Sequence, residues 1–281
     1  QPDSLRILHN PLTGWVLYAS MGVDAADFWA QYDHMYIPEL GHNVSVTDYA
    51  HTLYIRASWT DFNPQEDVYG WKIDSNLRAY IEGAYQRNMR LAFRVVVDSR
   101  DKRTEFTPQF VKDAGAKGFM NKGKWSPYSD DPVFQKYYTK FVKALAKDFN
   151  DPSKVEFIDG FGLGKWGEYH TMIYSTGDDT PKKAVFNWVT DIYSQAFDKV
   201  PVVINYHRWI GAGKDWVDDE HFAADSEEML EEAIKKGYSL RHDAFGMTTY
   251  YGSWERRFAE KYRNICPIIM EGGWICLLYT S

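Results

Sequence analysis

Two glutamates in this chain stand in settings that suit proton transfer and nucleophilic attack. Glu168 lies in Lys165-Trp166-Gly167-Glu168-Tyr169-His170, and Glu271 lies in Ile269-Met270-Glu271-Gly272-Gly273-Trp274. Paired carboxyl groups of this kind can split a glycosidic bond. One protonates the leaving oxygen, and the other attacks the anomeric carbon or activates water. Cationic and tyrosine neighbours keep the attacking group ionised, while a less polar pocket holds its partner protonated. The arrangement works only if elements far apart in sequence bring both groups to one place.

A second chemistry competes for the same stretch. Gly162-Leu163-Gly164-Lys165-Trp166-Gly167 matches the G-x-G-x-x-G dinucleotide fingerprint. That fingerprint needs a long helix directly after the glycines. Here the breaker cluster Ser175-Thr176-Gly177-Asp178-Asp179-Thr180-Pro181 follows too soon. Lys165 is followed by Trp166, so the stretch is not a P-loop either. A nicotinamide-dependent oxidoreductase is disfavoured, and the glycines read as close-packing positions in a barrel strand.

Short apolar runs alternate with helical stretches along the whole chain. Strands are predicted at residues 14–20, 51–59, 90–98, 155–163, 200–207, 245–251 and 267–274. Helices are predicted at 73–87, 132–149, 181–197, 226–236 and 253–262, with a short one near 108–114 inside a long loop at 99–131. The 90–98 run (RLAFRVVVD) is apolar on both faces, as a buried parallel strand requires. Strands alternating with helices predict an α/β fold. With seven strands, the prediction is a (β/α)8 TIM-barrel type, lacking or truncated at its eighth β/α unit, with residues 1–281 as a single domain. No repeat or linker divides the chain.

Active sites of such barrels lie at the C-terminal strand ends. The side chains predicted to meet there are Arg56 and Trp59 from strand two and Arg94 from strand three. Strand four gives Trp166, Glu168 and His170, and strand five gives Asn205 and His207. Tyr250 and Tyr251 come from strand six, where alternation lets only one point inward. Strand seven gives Glu271 and Trp274. Glu168 and Glu271 are the candidate catalytic pair, and the others are candidate substrate-binding groups. Arg56 and Arg94 would serve either as ligands of site carboxylates or in core ion pairs.

Composition narrows the classes further. Aromatic residues make up 17% of the 281 residues, with 11 Trp and 20 Tyr, which suits ring stacking against a sugar as well as a large aromatic core. The net charge of −7, without any Lys/Arg-rich block, argues against nucleic acid. No apolar run is long enough to cross a membrane. Cys266 and Cys276 lack metal-site spacing, and Glu168 and His170 do not form H-E-x-x-H, so neither metal nor cofactor is expected. Gln1 in place of Met suggests a secreted or periplasmic protein.

Five stretches together resemble a retaining glycoside hydrolase of the clan A type, the beta-galactosidase and cellulase-like TIM barrels. They are Asn10-Pro11-Leu12-Thr13-Gly14-Trp15, Tyr54-Ile55-Arg56-Ala57-Ser58-Trp59, the run from Pro64 through Glu66, Tyr69 and Trp71 to Asp74, and the two glutamate segments. The resemblance spans residues 10–274. It implies that Glu168 after strand four is the acid/base, that Glu271 on strand seven is the nucleophile, and that the substrate is a β-linked oligosaccharide or polysaccharide. Two features depart from the pattern. Gly167 stands where the clan has Asn, leaving Asn205 or His207 to bind the sugar 2-hydroxyl, and the eighth unit is missing. A decayed barrel that binds carbohydrate without cleaving it is the alternative.

Overall fold

The computed structural model describes residues 15–19, 21–98, 104–213 and 220–272, with the side chains of 220–222 left aside. Seven strands form one sheet in chain order, each parallel to its neighbours. They are β1 (Trp15–Tyr18), β2 (Ala50–Ser58), β3 (Arg90–Val96), β4 (Val155–Asp159), β5 (Val202–Asn205), β6 (Ser239–Phe245) and β7 (Ile268–Gly272). A helix follows each of the first six: α1 (Ala25–Asp33), α2 (Ser75–Gln86), α3 (Pro132–Phe149), α4 (Lys182–Ala196), α5 (Glu220–Lys235) and α6 (Ser253–Tyr262). This is the expected α/β barrel-type architecture, with seven strands in the main sheet among the described residues.

The sheet is strongly curled. The Arg241 guanidinium on β6 sits 4.6 Å from the ring centre of Tyr54 on β2. Four strand spacings separate these elements, roughly 19 Å in a flat sheet. Only curling brings them into contact. Tyr54, Ala92, Phe157 and Val203, with Ile269 against them, form a small core inside the curl. A much larger core lies between the sheet's outer face and the helices. The strands are therefore covered on both faces, which explains their near-continuous apolar character.

Helix α3 illustrates how sequence sets the outer layer. Asp131 caps it by accepting the Phe134 N–H at 2.8 Å, and Pro132 occupies the first turn, where its missing N–H costs nothing. Phe134, Tyr138, Phe141, Val142, Leu145 and Phe149 recur at helical spacing and are buried.

That layer corrects one expectation. Trp59 does not reach the barrel mouth. Ser58 and Asp61 form a capping box at the end of β2, and the short turn Trp59–Phe62 sends the indole outward. Trp59 is 0% exposed and packs on Phe110, Phe134, Tyr138 and Phe141. The expected loop at 99–131 carries regular structure over its described part, residues 104–131. It holds the helix Gln109–Asp113, as anticipated, and an antiparallel hairpin of Gly118–Asn121 with Lys124–Pro127.

Strand six is the other correction. It spans Ser239–Phe245, not the expected 245–251; residues 246–251 instead turn back after the strand. Cys266 carries a free thiol, half-buried, and Cys276 lies outside the described residues. Among the described residues no helix is long and apolar enough to span a membrane.

Trp59→Ala should act through the core alone. Truncating a fully buried Trp costs about 3–5 kcal/mol. Urea denaturation should show that loss, and ligand binding measured under folding conditions should be unchanged.

Candidate active site

Side chains two apart on a strand share a face. The residues of the inner apolar core are each followed, two positions on, by a polar group: Arg56 on β2, Arg94 on β3, Asp159 on β4, Asn205 on β5 and Glu271 on β7. Strand β6 adds Arg241 and Asp243. A charged layer therefore sits directly above an apolar one, toward the C-terminal strand ends.

Two buried arginines organise that layer. Arg94 is 1% exposed and Arg241 is 3% exposed. Arg94 Nε donates to Asp159 Oδ2 at 2.6 Å, and Nη2 donates to Asp243 Oδ2 at 2.7 Å. Its Nη1 reaches Glu168 Oε1 at 3.3 Å. Arg241 Nε donates to Asp243 Oδ1 at 2.6 Å, and Nη2 contacts Glu271 Oε2. The two glutamates are thus joined through Arg94, Asp243 and Arg241. Burial favours the neutral acid at Asp243, but Arg241 and Arg94 outweigh it and hold that carboxyl well below the ordinary range. At Asp159 burial is the larger effect and moves the carboxyl upward, against Arg94 and Arg241.

Glu168 occupies a loop with unusual backbone. Lys165–Gly167 makes a single 3-10 turn. The next long helix, α4, begins at Lys182, so no helix N-terminus faces the glycines and the dinucleotide reading has no structural basis. Instead the glycines permit close packing. A β-carbon at Gly162 would lie 2.3 Å from the Val95 carbonyl oxygen. Trp166, Tyr169 and Thr171 have φ of 60°, 60° and 51°, each costing about 1–3 kcal/mol for a residue with a side chain. Tyr169 anchors the loop. Its ring packs against Phe161, its N–H donates to Leu163, and its carbonyl accepts from Gly211.

Glu168, Glu271, Trp166, His170, Asn205, His207 and Tyr250 all line one cleft of about 300 Å³, within the range of small-ligand sites. Trp209, His242, Asp243 and Met247 complete much of its wall. His170 Nε2 lies 3.4 Å from Glu168 Oε2. His242 accepts the Ala244 N–H at Nδ1, and burial pushes its imidazole down to about 4, so it is neutral near pH 7. No group of three or more metal-type ligands occurs among the described residues.

The other expected site residues are placed differently. Arg94 lies beneath the cleft as an ion-pair hub. Arg56 donates to the Trp166 carbonyl at 2.9 Å and approaches the Tyr18 hydroxyl at 3.4 Å. Of the two tyrosines only Tyr250 lines the cleft; Tyr251 packs on His242 and Phe245 and pairs with the Tyr206 hydroxyl. Trp274 lies outside the described residues. Sequence reasoning missed Asp159, Arg241, His242, Asp243 and Trp209. Arg241 and Asp243 carried a signal: they share a face two apart, directly after the helix stop at Gly237.

No protein-family model and no curated protein matches the chain. Its fold is similar to that of the xylanase XynB from Paenibacillus barcinonensis in complex with a conduramine derivative. The TM-score is 0.50 at 9% identity, covering 90% of this chain and 66% of that one. Endo-glycoceramidase II from Rhodococcus sp. gives 0.47 at 13% identity, covering 92% and 72%. An endo-1,4-beta-xylanase from Caldicellulosiruptor owensensis gives 0.46 at 13%, covering 79% and 62%. At 9% identity the likeness to XynB speaks to the fold alone.

The ion-pair ladder should be visible in acid. Removing one member of a buried pair costs roughly 3–5 kcal/mol, so Asp243→Asn should be destabilised by that order at pH 7. Because the folded protein depresses the Asp243 carboxyl, its stabilisation is full above the unfolded value near about 4 and is lost as pH falls below it. Urea titrations between pH 7 and 2 should therefore show a shallower acid loss in Asp243→Asn than in the wild-type protein.

Proposed function

We propose that this protein is a glycoside hydrolase that cleaves β-linked saccharides with retention of anomeric configuration, without a cofactor. The observation that carries the reading is the placement of Glu168 and Glu271 on one cleft at the C-terminal strand ends, each against a different buried arginine. The similar fold of a xylanase supports it at the level of architecture.

The two carboxyls have different surroundings, as a division of labour requires. Glu271 lies directly on Arg241, which favours the ionised nucleophile. Glu168 also faces a guanidinium, but Arg94 already holds Asp159 and Asp243 at shorter distance. In the first step a Glu271 oxygen attacks the anomeric carbon while Glu168 donates its proton to the departing oxygen and the glycosidic bond breaks. In the second, Glu168 takes a proton from water, the water oxygen attacks the anomeric carbon, and the ester to Glu271 breaks. Trp166 and Tyr250 offer aromatic faces to the sugar. Arg208, stacked 3.8 Å above Trp209 and tied to buried Glu255, stiffens the wall beside them.

The test is a screen on xylan, mannan, β-glucan and β-galactoside oligosaccharides, with the first-formed product followed by proton NMR. The β anomer should appear first and mutarotate later. Glu271→Gln should lower kcat by at least about a thousandfold, equivalent to roughly 4 kcal/mol of barrel-mouth transition-state stabilisation. An α anomer as first product would exclude retention, and an unaffected Glu271→Gln would exclude the assigned nucleophile. Saturable oligosaccharide binding with no hydrolysis would make the protein a carbohydrate-binding barrel.

A further inference from the structure

Residues 164–171 hold Glu168 on a backbone that needs outside support. Gly164, Trp166, Gly167, Tyr169 and Thr171 all have φ between 51° and 75°. Left-handed residues with side chains persist only where their surroundings fix them. Gly167, directly before Glu168, has the widest conformational freedom of any residue type. Without restraint, the peptide groups on its two sides would swing and carry the carboxyl with them.

A side chain on β2 and one just past β5 hold the peptide groups before Gly167 and after Glu168. Nη2 of Arg56, on β2, donates to the carbonyl of Trp166 at 2.9 Å. Nε2 of His207, just past β5, donates to the carbonyl of Glu168 at 2.8 Å. The Trp209 N–H donates to Nδ1 of the same imidazole at 3.2 Å. With Nδ1 accepting, the ring proton lies on Nε2, where the Glu168 carbonyl needs it. Arg56 differs here from Arg94 and Arg241, both of which bind carboxylates.

We propose that Arg56 and His207 are positioning residues that grip the Trp166–Gly167 and Glu168–Tyr169 peptide groups, one on each side of the Gly167–Glu168 pair, and so fix the direction of the Glu168 carboxyl; this rests on Glu168 being the proton donor. A general acid must lie within hydrogen-bond reach of the oxygen it protonates. Releasing the grip misplaces the acid and leaves the nucleophile untouched. The loss then depends on how much the departing group needs a proton.

The experiment compares kcat/KM on two β-glycosides of the sugar that the wild-type protein cleaves. One carries a 2,4-dinitrophenyl group, which departs without protonation, and the other a methyl group, which does not. His207→Phe and Arg56→Met are the test variants, His207→Gln the conservative one, and Glu168→Gln the reference. Amide hydrogen exchange over residues 164–171 is measured on each. A misplacement on the order of 1 Å costs about a hundredfold, so that loss is expected on the methyl glycoside. In Arg56→Met the dinitrophenyl glycoside should lose less than about threefold, because it bypasses the acid. Exchange in 164–171 should rise, and His207→Gln should recover much of the activity. If His207→Phe fails to fold, Arg56→Met gives the same readout. Equal losses on both glycosides in Arg56→Met, or unchanged exchange in both variants, would overturn the grip while leaving the glycosidase reading intact. A Glu168→Gln variant with no leaving-group dependence would overturn the acid role and the grip together.

Discussion

Two like-charged guanidinium groups share the floor of one cleft, almost without solvent. Burying Arg94 and Arg241 so near each other is tolerable only if carboxylates interleave with them. Asp243 does so with one oxygen on each arginine, Asp159 lies on the Arg94 side, and the Tyr54 ring supports Arg241 from below. These groups come from β2, β3, β4 and β6. Satisfying them requires the sheet to curl, and the curl brings Glu168 and Glu271 onto the same cleft. Curl, ion pairs and cleft therefore occur together, with the apolar cores on both faces of the sheet.

The constraint also fixes how the cleft differs from side to side. On the β7 side Glu271 lies directly on an arginine. On the β4 side Glu168 stands on a left-handed loop held by Tyr169 from within and, from outside, by Arg56 on β2 and His207 just past β5. One carboxyl is thus fixed mainly by charge and the other mainly by backbone, which gives the two sides of the cleft different surroundings.

Much of this was legible in the sequence because it rests on local pattern. The apolar runs, the helix stop at Gly237 and the cap at Asp131 locate most of the strands and helices, and the aromatic-flanked glutamates mark the strand ends. Strand β6 was misread for a physical reason. Its inner face is charged, so Ser239-Leu240-Arg241-His242-Asp243 does not look like a strand until its partners are known. The apolar run from Phe245 to Tyr251 looked better and was a turn. Trp59 failed for the converse reason: a capping box reverses the chain within one residue of the strand end, and alternation no longer says where the ring points. Arg94 was recognised as important, but only the fold shows that its partners lie on β4 and β6.

The most direct measurement is covalent trapping. A 2-deoxy-2-fluoro β-glycosyl fluoride of the preferred sugar slows hydrolysis of the glycosyl-enzyme more than its formation, so the intermediate accumulates. Intact mass followed by peptide mapping should find one fluorosugar per chain, on Glu271. Turnover of the natural glycoside with no adduct, or an adduct on another carboxylate, would contradict the assignment of Glu271 as the nucleophile on which the account rests.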